Sequence, residues 1–395
     1  MTPRLTRRSA LAGAAALTGL AAHGARAAAS GATMAYVGSY TPEGHGIAQY
    51  RFDEATGALE SVGLAAQLTN PSWICIDAKR GRLYAISETD DFGQIHTGSV
   101  TAFTIDAATG ALTKLNTVSS GGTGPAHMSL HPSGRFALVA NYGGGAVAVL
   151  GVREDGSLTD PVDVQAAPAL AAPIVGDAAQ MANLAPSDHT KPHMHMVAAD
   201  PSGRFVVADD AGSDRIDVWT FDPASGHLSL AGFAATPPGS APRHFVFSAD
   251  GRRLFNLQEH DGLLKAYRFD AATGVLTLEQ AVSTLHHGYE GSFQASELAL
   301  TRDGRFLLAG SRLRNTVTTV AVGAHGLHVV SEAWTQGDHP RSFALDPSGR
   351  FLVCCNQRSD NLTTFKLDPA TGALTFTGRF TPVGSPAVVA FHRLG

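Results

Sequence analysis

From about residue 33 onward the chain is a succession of short apolar, β-branched and aromatic runs, broken by turn residues at two recurring offsets. Runs of that kind bounded by Gly, Pro, Asp and Ser predict strands rather than helices. The first turn signature is Asp-x-Ala-Thr-Gly-x-Leu or a degraded form of it. It spans Asp53 to Leu59, Asp106 to Leu112, Arg153 to Leu158, Asp222 to Leu228, Asp270 to Leu276, Gly323 to Leu327 and Asp368 to Leu374. Aspartate opening the turn and glycine supplying positive φ are what a tight strand connection requires. The second signature resembles Pro-Ser-Gly-Arg-Phe, with its arginine at Arg82, Arg135, Arg204, Arg252, Arg305 and Arg350.

The second signature occurs six times, and its seventh copy is divided between the two ends of the chain. Ser385 to Phe391 matches the strand before this turn, as in Pro340 to Leu345, and Met34 to Tyr40 matches the strand after it. A last repeat completed by the first closes a circular array and leaves no open sheet edge, where an open solenoid would show caps at both ends. In the third unit the phase predicts an inner strand over Pro125–Leu130, a second over Phe136–Asn141, a third over Ala146–Val152 and an outer one over Leu158–Val164. Four antiparallel strands repeated seven times predict an all-β, seven-bladed β-propeller. It forms a single domain over residues 33–395, with one blade shared by the N- and C-terminal strands. Separate sandwich domains are excluded, because about fifty residues each is too few for an independent core.

Arg135 and Arg204 are 69 residues apart, about twenty more than the other intervals, and the excess is an Ala/Pro-rich insertion over residues 165–191. A long loop of this kind reads as a lid over a site or as a surface excursion. The first 29 residues differ in kind from the rest. Thr6-Arg7-Arg8-Ser9 is followed by an Ala/Leu/Gly run and by Ala25-Arg26-Ala27, the order of a twin-arginine export signal. The apolar run is about half of the ~20 residues a membrane span needs, so the mature chain is expected to have no span and to work in the periplasm or outside the cell, with the twin-arginine machinery as its partner during export. With 29 basic and 34 acidic residues the net charge is −5, and no basic field exists to hold nucleic acid. Three cysteines, two of them the adjacent Cys354 and Cys355, cannot make a disulfide framework.

Inner strands run toward the Gly-Arg turn and second strands run back, so inner-strand starts and second-strand ends share one mouth. The starts carry Trp73, His127, His193 with His195, Arg243 with His244, Glu297 and Arg341; the ends carry Glu88, Asn141 with Tyr142, Asp209 with Asp210, Glu259, Arg312 and Gln357. A ring needed only for support would be small and apolar there, since a buried charge without a partner is costly. Mutual satisfaction, with Arg243 and Arg341 pairing Glu297 and Glu88, is the competing structural reading. Counted back from the turn, His127, His244 and Glu297 share one register, while His195, Arg243, Ser296 and Arg341 sit one residue earlier. Neighbours on a strand face opposite ways, so both sets reach the mouth only if the strand begins with a bulge.

Several of these segments resemble a known family. Ala140-Asn141-Tyr142 with Gly143-Gly144-Gly145, Lys191-Pro192-His193-Met194-His195, Ala241-Pro242-Arg243-His244 and Pro340-Arg341-Ser342-Phe343 are similar to the metal-independent, propeller-type lactonases related to bacterial 6-phosphogluconolactonase, with carboxymuconate-lactonising enzymes as cousins. The resemblance implies hydrolysis of a sugar-derived lactone or handling of its sugar acid in carbohydrate metabolism, without cofactor or metal. It implies roles for His193, His195, Arg243 and Glu297, with Arg341 as a further anion contact. The sequence departs from the family pattern where Ser342 stands in place of a histidine and Ser292 to Ser296 replace a small, Asn-containing approach to the glutamate. Export is a further departure, because a phosphorylated lactone of central metabolism is cytoplasmic, and it points to an unphosphorylated aldonolactone.

Opening a lactone requires an activated water and a stabiliser for the oxyanion. The expected base is His195 or Glu297, the expected oxyanion donor Arg243, and the catalytic set His195, Arg243, Glu297 and His193. Substrate binding falls to Arg341, Arg312, His127, Asn141, Tyr142, Glu88, Gln357 and His244. A serine nucleophile has no support, as no Gly-x-Ser-x-Gly elbow occurs. Asp209 and Asp210 could add oxygen ligands to the histidines, but no metal-binding spacing appears. Two other functions use the same mouth: a non-catalytic propeller binding a small molecule or peptide, and a cyclase closing a muconate-type diacid.

Overall fold

A computed structural model describes residues 31–167, 188–286, 288–289, 291–324 and 326–395. The export-signal reading of residues 1–29 lies outside them, as does most of the 165–191 insertion. Seven four-stranded antiparallel sheets surround one axis. In the third blade the inner, second and third strands, β8 (Pro125–Leu130), β9 (Phe136–Asn141) and β10 (Ala146–Val152), have the bounds the turn phase predicts, and the outer β11 (Leu158–Ala166) runs two residues further.

The termini close the ring in one blade. The first strand, β1 (Thr33–Ser39), lies antiparallel to the last, β28 (Pro386–Arg393), with Met34 opposite His392 and Val37 opposite Val389. Strands β2 (Gly46–Asp53) and β3 (Ala58–Gln67) complete that sheet, so no inner edge is left open.

Burial follows radial position. All six residues of β9 are buried, whereas β11 alternates between sheltered and exposed, as a strand with one solvated face must. The core lies between blades: Phe136 and Leu138 of the third blade pack with Val206, Trp219 and Phe221 of the fourth. The two turn signatures recur together because they touch. Arg204 donates to the carbonyl of Ala271 in the next blade's Asp-Ala-Ala-Thr-Gly turn at 2.6 Å, and Arg135 and Arg305 reach Pro223 and Pro369 in the same way.

Each functional inner strand opens with a bulge, which resolves the two registers seen in the sequence. In β12 (Met194–Ala199) Met194 and Met196 face Asp210 and Asp209, leaving His195 as the extra residue. Arg243 is extra in β16 (Pro242–Phe247), Arg341 in β24 (Pro340–Leu345) and Ala126 in β8. In β20 (Ala295–Leu300) the ladder is also shifted between Ala295 and Leu298. A bulge turns one side chain out of the alternation. Side chains on neighbouring positions, such as Arg243 and His244, can therefore both point inward.

Candidate active site at the polar mouth

A cavity of about 240 Å³ occupies the mouth where inner strands begin and second strands end. Its charged wall is Glu88, Glu259, Arg312 and Arg341, and the remainder is Ala126, Tyr142, His195 and Gln294. The bulges place Ala126, His195 and Arg341 there, and Ala126 leaves room because it is small.

The arginines and carboxylates form a chain of pairs. Arg312 Nη2 donates to Glu259 Oε1 at 2.5 Å, and Arg243 Nε lies 3.5 Å from Glu259 Oε2. Gln294 donates to Glu259 Oε1 at 2.9 Å. Arg341 lies 3.6 Å from Glu88 and its guanidinium sits 5.0 Å above the Tyr40 ring, while Tyr40 itself donates to Glu88 at 2.5 Å. Burial alone would raise the Glu259 carboxyl, but Arg312 and Arg243 overcome it and hold the group at about 2. The Arg312 and Arg341 guanidiniums in the wall present donors suited to an oxyanion or a carboxylate product.

His195 is the neutral group in this field. Burial, and then the charges of Arg243, Arg341 and Arg312, keep its pKa well below 6.5. Its Nδ1 is buried without a hydrogen-bond partner, and the residue lines the cavity. His193 does not line the cavity. It stacks on Tyr142 with ring centroids 4.3 Å apart, hydrogen-bonds the Tyr142 carbonyl through Nδ1 at 2.8 Å and sets Nε2 3.3 Å from Asp188. Its place is behind Tyr142, as a support.

A second polar layer lies outside the cavity lining. His244 Nδ1 lies 2.8 Å from Glu297 Oε1, Ser342 donates to Glu297 Oε2 at 2.9 Å, and the Leu298 amide donates to Glu297 Oε1 at 3.0 Å. Burial would raise Glu297, but its donors, His244 foremost, bring it below the ordinary carboxylate range. His244 is held neutral by burial, and so it serves as donor to an ionised carboxylate. His127 and Trp73 pack beside this pair, with ring centroids 4.4 Å apart.

The structure divides the expected residues between the cavity wall and the layer behind it. Arg243 pairs with Glu259 rather than Glu297, whereas the expected pairing of Arg341 with Glu88 is present. Arg243, His193, His244, Glu297, His127, Asn141 and Gln357 are not part of the cavity wall. Asn141 is buried and donates to the Ser120 carbonyl at 2.9 Å, and Gln357 begins a short 3-10 turn over Gln357–Ser359. Asp209 accepts from Asn256 at 2.8 and 2.9 Å. Arg341, Arg312, Glu88, Tyr142 and His195 meet at the cavity as expected. The residues given no role from sequence are Glu259, Gln294 and Tyr40. Glu259 could have been found from its position at a second-strand end; Gln294 and Tyr40 carry no comparable signal.

The chain is similar to known proteins over most of its length. The family described as "Lactonase, 7-bladed beta-propeller" matches residues 34–391. The 6-phosphogluconolactonase of Bacillus subtilis is 32% identical over 361 residues, covering 91% of this chain and 98% of its own. The structure of a periplasmic gluconolactonase of Pseudomonas aeruginosa superposes with a TM-score of 0.83 at 33% identity, over 92% of this chain and all of the other. A putative 6-phosphogluconolactonase of Bacteroides fragilis superposes with a TM-score of 0.79 at 30% identity, over 92% of this chain and 98% of the other.

Proposed function

Because the chain belongs to the seven-bladed β-propeller lactonase family and is a lactonase, we propose that its substrate is an unphosphorylated aldonolactone, opened at the mouth by His195 and the arginines. The observation that carries this reading is a neutral histidine facing, across a 240 Å³ cavity, a wall that holds Arg312 and Arg341.

Water attacks the lactone carbonyl carbon and gives a proton to His195 Nε2. The tetrahedral oxyanion lies against Arg312 and Arg341, where one well-placed donor is worth about 3–4 kcal/mol. Collapse breaks the ring C–O bond, and the leaving oxygen recovers the proton from His195. Arg243 acts through Glu259: with Arg312 it holds that carboxylate ionised, and the carboxylate fixes the Arg312 fork. Glu88 and Tyr40 orient Arg341. Glu297 and His244 support the site from outside the cavity.

The twin-arginine sequence at Thr6-Arg7-Arg8 and the periplasmic relative support export, and export favours the unphosphorylated substrate. The test is acid release from glucono-1,5-lactone and its 6-phosphate at mildly acid pH, with ring closure of a muconate followed alongside. Faster hydrolysis of the unphosphorylated lactone is expected. Preference for the phosphate ester, or turnover of the muconate alone, would overturn the assignment.

A further inference from the structure

We infer that the lactones accepted here carry an additional glycosyl unit, seated in a groove between the first and second blades; this rests on the aldonolactone reading above. A second cavity of about 420 Å³ lies beside the mouth. The two share a wall. Glu88 lines the mouth, while Ser87 and Thr89 on either side of it line the groove; Tyr40 hydrogen-bonds Glu88, and the next residue, Thr41, lines the groove.

The groove exists because one strand is longer than its counterparts. Strand β5 (Arg82–Phe92) continues past Glu88 until Phe92 pairs with Thr97, whereas the corresponding strands of the next two blades stop at Asn141 and Asp210. That extension raises a wall that the other blades lack.

Its chemistry differs from that of the mouth. Thr69, Thr89 and Ser99 contribute hydroxyls, Phe92 and Leu68 apolar surface, and Asp91 and Lys114 opposite charges that cancel. Hydroxyls and an aromatic ring lining one groove without net charge suit a neutral sugar ring, not a phosphate. Size points the same way: small-molecule sites commonly measure about 300–1,000 Å³, and the mouth alone, at about 240 Å³, falls short of that range until the groove is added. The lactone ring sits in the mouth and the glycosyl ring extends over Thr89 toward Phe92.

The test compares glucono-1,5-lactone with cellobiono- and maltobiono-1,5-lactone, using wild type, Phe92→Ala and Thr89→Val. At least one disaccharide lactone is expected to match or exceed glucono-lactone in kcat/KM, and both variants are expected to lower that value about tenfold while leaving glucono-lactone unchanged. The inference is overturned if neither disaccharide lactone is hydrolysed, if the variants affect neither substrate, or if they lower both equally. If wild type hydrolyses no aldonolactone at all, the substrate assignment above fails instead.

Discussion

Arg350 of the seventh blade donates through Nη2 to the carbonyl of Glu54, in the first blade's turn, at 2.7 Å. The contact joins residues 296 positions apart and repeats, at the ring closure, the clamp that Arg204 makes on Ala271. A charged donor on a carbonyl is worth about 1.5–3 kcal/mol when sheltered, and less here because Arg350 is exposed. Arg350→Ala is expected to lower the melting temperature by roughly 2 °C, leaving kcat unchanged. A calorimetric scan that shows no shift would remove the turn arginines from the account of ring stability.

Glu259 and Glu297 are expected to respond differently to the same isosteric change. Glu259 lies in the cavity wall and pairs with Arg312 and Arg243, so Glu259→Gln deprives Arg312, which faces the oxyanion, and Arg243 behind it of their counter-charge. The expected result is a fall in kcat of about 10²-fold, accompanied by a lower melting temperature because buried guanidiniums lose their counter-charge. Glu297→Gln instead leaves His244 and Ser342 around a neutral amide, and is expected to cost more stability than activity. Paired kinetics and thermal melts check both, and the reverse ranking would place the working carboxylate at Glu297.

That Glu297 is expected to act from its sequence position while Glu259 is not follows from phase. The strands themselves were legible, because turn residues mark both ends of each and their spacing is periodic. Glu259 shares its position with Glu88, Asn141, Arg312 and Gln357, all at second-strand ends, and nothing along the chain separates the members that reach the cavity from those that do not. That separation is made by contacts between blades: Arg312 of the sixth blade crosses to Glu259 of the fifth. The bulges were legible as a conflict of register at Arg243 and His244, but the direction each turned its side chain was not.

His195 is expected to set the acid limb of the pH profile. Burial and the arginine charges keep its pKa well below 6.5, so the imidazole stays neutral, and able to accept a proton, as pH falls through that value. Activity should hold through pH 6.5 and be lost only at clearly lower pH. Arg341→Met removes one of the positive charges and should move the limb upward, whatever it costs in rate. His195→Asn should lower kcat by about 10²–10⁴-fold. A wild-type limb centred at 6.5, unmoved in Arg341→Met, would assign the proton transfer to another group.

Asp217 gives the fold a pH dependence that is separate from catalysis. Its side chain is buried in the fourth blade, and burial first, with Asp210 adding to it against the opposing pull of Arg215, raises its pKa to about 7. A carboxyl whose folded pKa lies above its unfolded value of about 3.9 binds its proton more tightly in the folded state. Its contribution is therefore full below about pH 4 and declines as pH rises toward 7, beyond which the folded chain carries the charge at a cost. Asp217→Asn keeps an oxygen to accept from Arg215 Nη2, now 3.1 Å from Asp217 Oδ2, and cannot ionise. Relative to wild type, the variant should therefore gain melting temperature between pH 5 and pH 8, with activity on a lactone unchanged at both. Thermal melts at the two pH values measure this, and a constant difference between them would show that Asp217 does not titrate in that window.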